Sequence, residues 1–110
     1  MDSKTTELVK VLDELVAVLE SDGEAHWRAW IHRVKSRLDQ SDHSGIEYLL
    51  SAYGGMGSFN DLVLGQTTSV DGGFAWKPGH IDLNRRLDVL RNRAWTLAHA
   101  VRDSRELPRS

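Results

Sequence analysis

Apolar residues recur every three or four positions over much of this chain, and that period constrains its fold more than any other feature. Four leucines of segment 4–20 keep the spacing: Leu8, Leu12, Leu15 and Leu19. Segment 82–103 carries a similar stripe from Leu83 to Val101. Residues at this spacing share one face of an α-helix, so each segment is predicted to bury one face.

Two further helices are predicted between these segments. Residues 23–39 form the second, with apolar positions on one side: Trp27, Trp30, Ile31, Val34 and Leu38. Ser44 and Glu47 have capping-box spacing and open the third helix, which Gly54 stops. Gly23 suits the end of the first helix, whereas Ser21 and Glu24 have the spacing of a cap for the second. Four helices with short connections predict an all-α fold, a compact bundle within a single domain spanning 1–110.

A glycine cluster follows the third helix, and three of the nine glycines fall within four residues there. It lacks the lysine of a phosphate-binding loop and follows a helix instead of a strand, so neither nucleotide-binding pattern fits. We interpret the cluster as a structural joint in which a hydroxyl or amide caps the next short helix. The joint comprises Gly54, Gly55, Gly57, Ser58, Asn60 and Asp61. A ligand-binding loop over Gly54–Asp61 is the alternative.

The segment 66–80 is the least patterned part of the chain. Asp71-Gly72-Gly73 has the chemistry of a hairpin turn, but an ordered loop fits equally well. The last helix is predicted from Asp82 to Asp103, with a frayed tail over about 104–110.

Composition excludes several classes of function. The chain has no cysteine, which excludes disulfides, thiol catalysis and cysteine-bound zinc. Its five histidines form no zinc-binding spacing, and no catalytic motif is present, so we expect no metal, no cofactor and no enzyme activity. The net charge of −2 opposes nucleic-acid binding by the arginines of the last helix. No apolar run is long enough to span a membrane. The N-terminus opens into an amphipathic, acid-containing segment unlike a signal peptide, and we expect a cytoplasmic protein.

The charge is unevenly distributed. Residues 1–61 carry eleven acids and six bases, whereas residues 62–110 carry five acids and eight bases. An acidic face could dock a basic partner protein, although solvated helix faces of mixed sign are the simpler interpretation. The candidate partner-binding acids are Asp13, Glu14, Glu20, Asp22 and Glu24.

Four tryptophans are many for a chain of 110 residues. Trp27, Trp30 and Trp95 lie on or beside apolar stripes and are expected in the core. Trp76 lies in the weakly patterned segment, and a partly exposed aromatic residue is a typical anchor of a protein interface. We therefore predict Trp76 as a partner contact.

Residues 54–61 read Gly-Gly-Met-Gly-Ser-Phe-Asn-Asp, a stretch that is similar to the core of a known protein family. It resembles a family of small, functionally uncharacterised bacterial proteins built around this core, with a tryptophan in the preceding helix and an Asn-x-x-Leu start to the closing one. Asn84 and Leu87 match that start, and the resemblance covers roughly residues 24–100. It implies a soluble bacterial single domain of the kind often encoded beside toxins as their immunity partners. An immunity or antitoxin-like inhibitor is therefore the leading hypothesis, with a small enzyme or ligand-binding domain and a homodimer through the first helix as alternatives.

Overall fold

A computed structural model of the chain describes residues 3–40, 42, 44–53, 59–68 and 70–106, without the side chains of 60 and 104–106. Its main elements are four α-helices: α1 (Ser3–Ser21), α2 (Ala25–Asp39), α3 (Ser44–Leu50) and α4 (His80–Glu106). Two 3₁₀ turns, Ser51–Tyr53 and Phe59–Asp61, follow α3. Strands β1 (Gln66–Thr68) and β2 (Phe74–Trp76) precede α4. The predicted helical bundle is confirmed.

The apolar stripe of α1 forms the centre of the core. Leu8, Leu12, Leu15 and Leu19 are fully buried there. α1 packs against α2 on one side and α4 on the other, and α3 bridges α2 and α4. The apolar face of α1, on which the homodimer hypothesis rested, is thus covered within one chain.

The turn between α1 and α2 resolves the competition between its two predicted uses. Gly23 takes a φ of +72°, where L side chains are disfavoured, and its N–H donates to the carbonyl of Glu20 at 3.0 Å. The carboxylate of Glu24 accepts from the N–H of Trp27 at 2.8 Å and caps α2. Ser21 instead donates back to the carbonyl of Val18 at 2.6 Å, so no capping box forms.

The segment left open between hairpin and loop is an antiparallel hairpin. Thr67 pairs with Ala75 at its centre, and Gly72 takes a φ of +87° in the turn. The carboxylate of Asp71 accepts from the N–H of Gly73 at 3.2 Å, the local bond that favours Asp in such turns. Two short strands alone are marginally stable, so contacts at the base of the hairpin must hold it against the bundle.

α4 is longer than predicted. It begins at His80 instead of Asp82 and extends through Glu106, three residues beyond the predicted end. Residues 107–110 lie outside the described part of the chain. The earlier start brings His80 and Ile81 into the helix beside the hairpin, where they line the site described below.

Candidate protein-binding site

Asn84 of α4 fixes the chain that leads into the hairpin. Its Oδ1 accepts from the backbone N–H of Leu64 at 2.7 Å, and its Nδ2 donates to the carbonyl of Leu64 at 2.8 Å. The same Nδ2 donates to the carbonyl of His80 at 2.8 Å. One side-chain amide thus satisfies both backbone groups of Leu64, which is itself buried.

Gly65 allows the hairpin to approach α4 closely. Its φ is +84°, and a Cβ at this position would lie 2.5 Å from the Cβ of His80. The N–H of Gly65 donates to Oδ1 of Asp22 at 3.1 Å, and its carbonyl accepts from the N–H of Lys77 at 2.7 Å. The ammonium of Lys77 also contacts Asp22 Oδ1 at 3.1 Å. Asp22 therefore ties the turn after α1 to both sides of the hairpin base.

Beside this base lies an open groove of about 520 Å³ between the 62–63 segment, β2 and the first half of α4. Trp76 forms one wall and stacks on His80, with ring centroids 4.8 Å apart and an interplanar angle of 21°. Three exposed aliphatic residues also line the groove: Val63, Ile81 and Val89. Phe74 is 87% exposed and lies on the same face of β2 as Trp76, because side chains two apart on a strand point the same way.

We call Val63, Phe74, Trp76, Ile81 and Val89 the hairpin surface. All five are large apolar residues that remain exposed in the folded chain. Aromatic side chains carry about 150–250 Å² each, so Phe74 and Trp76 alone present on the order of 300 Å² to solvent. Patches of a few hundred Å² are about the largest that soluble monomers expose, and they are often functional.

Arg91 supports the floor of the groove from below. Its side chain is 9% exposed, and its Nη1 donates to the carbonyls of Phe59 at 2.7 Å and Leu62 at 2.9 Å. Its Nη2 pairs with Asp88 one turn earlier. The sequence showed the spacing of this ion pair but not that Arg91 is buried and holds a loop. An arginine inside an apolar stripe, between Leu90 and Ala94, is the signal that could have shown it.

The glycine joint itself lies outside the described residues from Gly54 to Ser58, and so does the side chain of Asn60. Its flanks are described. The hydroxyl of Tyr53 donates to the carbonyl of Arg91 at 2.8 Å, and Phe59 is fully buried against Trp27, with ring centroids 5.1 Å apart. Burial raises the pKa of the Tyr53 hydroxyl above its usual range, although the charge of Arg91 acts in the opposite direction. The residues that flank 54–58 on both sides, Tyr53 and Phe59, therefore bond to Arg91.

The predicted acidic set is used mostly within the chain. Asp13 pairs with Lys35, and Glu20 contacts Arg28 at 3.2 Å, both across the α1–α2 contact. Asp22 is only 12% exposed at the hairpin base, and Glu24 caps α2.

Glu14 makes no ion pair with any described residue. It lines a second groove with Arg85, Arg86, Val89 and Leu90. Val89 is shared with the hairpin surface, so Glu14 lies at its edge. Of the acids proposed from the sequence, it is the one that remains available to a partner there. The uneven charge distribution of the chain places acids of α1 opposite bases of α2 and α4.

One of the three tryptophans expected in the core is exposed to solvent. Trp30 is buried and Trp27 packs on the core as predicted, but Trp95 is 45% exposed, so its assignment to the core was wrong. Ala94 and Ala98 occupy the buried face of α4 instead. Trp95 is one residue beyond that face, a rotation of about 100° that is enough to place it in solvent.

Within the described residues, no group of three histidine, cysteine or carboxylate side chains is placed to hold a metal ion. None of the described helices combines the length and apolar character that crossing a membrane requires. Asp61 of the glycine joint is exposed at the end of its 3₁₀ turn.

One comparison with known proteins returned a match. The model of a family described as a domain of unknown function, DUF6966, matches residues 20–71, a little under half of the chain. The matched region covers α2, α3, the glycine cluster and β1, and stops before most of the hairpin surface. No curated protein and no solved structure showed significant similarity to the chain.

Proposed function

We propose that this chain is a small protein-binding domain that neutralises a partner toxin by direct binding, as immunity and antitoxin-like inhibitors do. The observation that carries the binding role is the hairpin surface, in which Trp76 is 49% exposed and lines the groove. Tryptophan is enriched among the residues that dominate binding energy in protein interfaces. Its stacking on His80 holds the ring in place before binding, which lowers the entropy lost on association.

The partner-binding residues favoured by the geometry are Trp76 and Glu14. Trp76 lies beside exposed aliphatic residues, and Glu14 contributes a free negative charge at the edge of the same surface. Asp13, Glu20, Asp22 and Glu24 would act through the fold, because each is engaged within the chain.

The inhibitor role draws on the resemblance at residues 54–61, since proteins of that kind are often encoded beside toxins. The structure supports a binding role through the exposed apolar side chains of the hairpin surface. A bacterial source and a cytoplasmic location belong to the same proposal.

The proposal predicts a toxin domain encoded beside this chain, and rescue of cells that express such a domain tests it. Wild-type chain should restore growth and bind the purified toxin domain, and Trp76→Ala should weaken binding by about 30-fold, as expected for a central interface residue. Trp95→Ala is the matched control, because Trp95 is a half-exposed tryptophan packed beside a histidine on the other part of α4.

Absence of both rescue and binding would refute the inhibitor role. Equal losses in the two tryptophan variants would instead exclude the hairpin surface as the contact site.

A further inference from the structure

The hairpin has backbone groups that point away from its own ladder. The N–H of Lys77 donates to the carbonyl of Gly65, and the strand register continues this pairing, with Thr67 opposite Ala75. Hydrogen-bonded and non-hydrogen-bonded pairs alternate in an antiparallel ladder. Thr67 and Ala75 therefore bond to each other, whereas the N–H and C=O groups of Phe74 and Trp76 face outward from β2.

The two edges of the hairpin differ in their side chains. The residues whose backbone groups face outward are Gln66 and Thr68 on β1, and Phe74 and Trp76 on β2. A strand added to β2 would place alternate side chains beside the two aromatic rings and next to the groove. Aromatic and β-branched side chains form favourable cross-strand pairs, so the β2 edge is the better template.

The charges around the groove specify what kind of segment fits. Arg85 contacts Asp82 at 3.5 Å, and Arg91 pairs with Asp88. Both arginines line the groove next to Val63, Ile81 and Val89, and each already has a carboxylate partner within the chain. A groove with an apolar floor whose arginines are already paired is complementary to an uncharged segment, because a charged one would lose hydration without gaining a new counter-charge there.

We propose that the β2 edge binds an extended, uncharged segment of the partner protein as an added strand. Backbone groups of the segment pair with Phe74 and Trp76, and every second side chain, apolar in character, packs on the hairpin surface. This inference rests on the proposed function for the existence of a partner, but its test does not need the toxin.

The probe is an acetylated and amidated heptapeptide of alternating threonine and valine, added to the whole chain. Its three valines would carry both the side chains that face the aromatic rings and the N–H groups that face β2. We expect the amide protons of Phe74 and Trp76 to become protected from solvent exchange. The matched peptide, N-methylated at each valine, keeps the side chains but loses those donors, and should bind at least about tenfold more weakly.

Proline substitutions test the same edge from the protein side. Phe74→Pro and Thr68→Pro each remove an outward N–H and leave the ladder between β1 and β2 intact. Phe74→Pro should bind the heptapeptide more weakly than Phe74→Ala, and Thr68→Pro should bind it as well as wild type. Retention of the Trp76 indole resonance in each variant shows that the hairpin remains folded.

Three results would overturn the proposal. The first is equal binding of the two peptides to the wild-type chain. The second is exchange protection at Gln66 and Thr68 instead of Phe74 and Trp76. The third is a dimer of the chain alone that Phe74→Pro abolishes, since the occupant of the edge would then be a second copy. Peptide binding without rescue from the toxin would support strand addition and refute only the inhibitor role.

Discussion

Two tryptophan–histidine pairs on this molecule look alike and have different surroundings. Trp76 and Trp95 are 49% and 45% exposed, and each packs on the histidine four residues later, at 4.8 Å and 4.1 Å between ring centroids. The Trp76 pair joins β2 to the start of α4 and borders a groove. The Trp95 pair lies on α4 alone, and Arg102 contacts His99 Nδ1 at 2.7 Å.

The two pairs have similar exposure, so exposure alone does not distinguish the proposed site from the rest of the surface. Single exposed apolar residues are common on protein surfaces and need no functional explanation, which suffices for Trp95. Trp76 lies beside exposed aliphatic residues, on the strand β2 whose outer backbone groups face away from the ladder. Asn84, Gly65 and Asp22 hold the base of its hairpin. The following substitutions test whether that base holds the Trp76 pair and leaves the Trp95 pair untouched.

Arg91→Met should have the largest effect. It leaves the carbonyls of Phe59 and Leu62 without their donor in a buried site, and we expect a loss of about 4 kcal/mol in the free energy of unfolding. Urea denaturation measures the loss. Arg93→Ala is the control, because Arg93 is exposed and 3.8 Å from Glu7, and it should change stability by no more than about 0.5 kcal/mol. Similar losses in the two variants would contradict the supporting role of Arg91.

Gly65→Ala should destabilise the chain by about 3 kcal/mol, because it combines a positive φ with a clash against the Cβ of His80. Gly72→Ala has a similar φ of +87° but open space around it, and should cost about 1 kcal/mol. Because both glycines have a positive φ, the difference between the two losses in stability measures the cost of the clash with His80 alone. NMR should show a shifted Trp76 indole resonance in Gly65→Ala and an unchanged Trp95 resonance; movement of both would mean that the two pairs are coupled.

Asn84→Ala should cost about 2 kcal/mol, since it leaves the N–H and C=O of buried Leu64 unpaired. Asn92→Ala, at an exposed asparagine two turns later on α4, should be neutral within about 0.5 kcal/mol. Thermal unfolding of both variants provides the comparison. A neutral Asn84→Ala would show that the hairpin base does not depend on this amide.

Tyr53→Phe should have the smallest effect at neutral pH, a loss of about 1 kcal/mol with the bond to the Arg91 carbonyl. The pH dependence of the free energy of unfolding tests the burial of the Tyr53 hydroxyl more specifically than this loss does. Burial raises the pKa of Tyr53 in the folded chain, while the unfolded chain releases this proton near the ordinary tyrosine value of about 10. Stability from this group is therefore present below about pH 10 and lost as the pH rises further. Urea midpoints measured across that range should fall less steeply for Tyr53→Phe than for wild type, and parallel curves would contradict the burial of the hydroxyl.

The helices were predictable from the sequence, whereas the partner-binding role of the site residues stays a prediction. Trp76 was singled out because it lies in the weakly patterned segment, and the structure places it half-exposed beside the groove. Asp22 was predicted to face a partner, but it binds Gly65 and Lys77 across more than forty residues of sequence. Periodicity reports which face of a helix is apolar and carries no information on which loop returns to it.

What the sequence alone determined is local: the apolar face of α1 from its leucine period, and the presence of turn-forming residues at Gly23 and at Asp71-Gly72, whose exact use it left open. These depend on backbone preferences and on neighbours a few residues away. The tertiary structure decided the burial of Arg91, the exposure of Trp95 and the position of the hairpin against α4. Each of these depends on which distant carbonyl or side chain arrives at a given face, and that is settled only when the helices pack around one core.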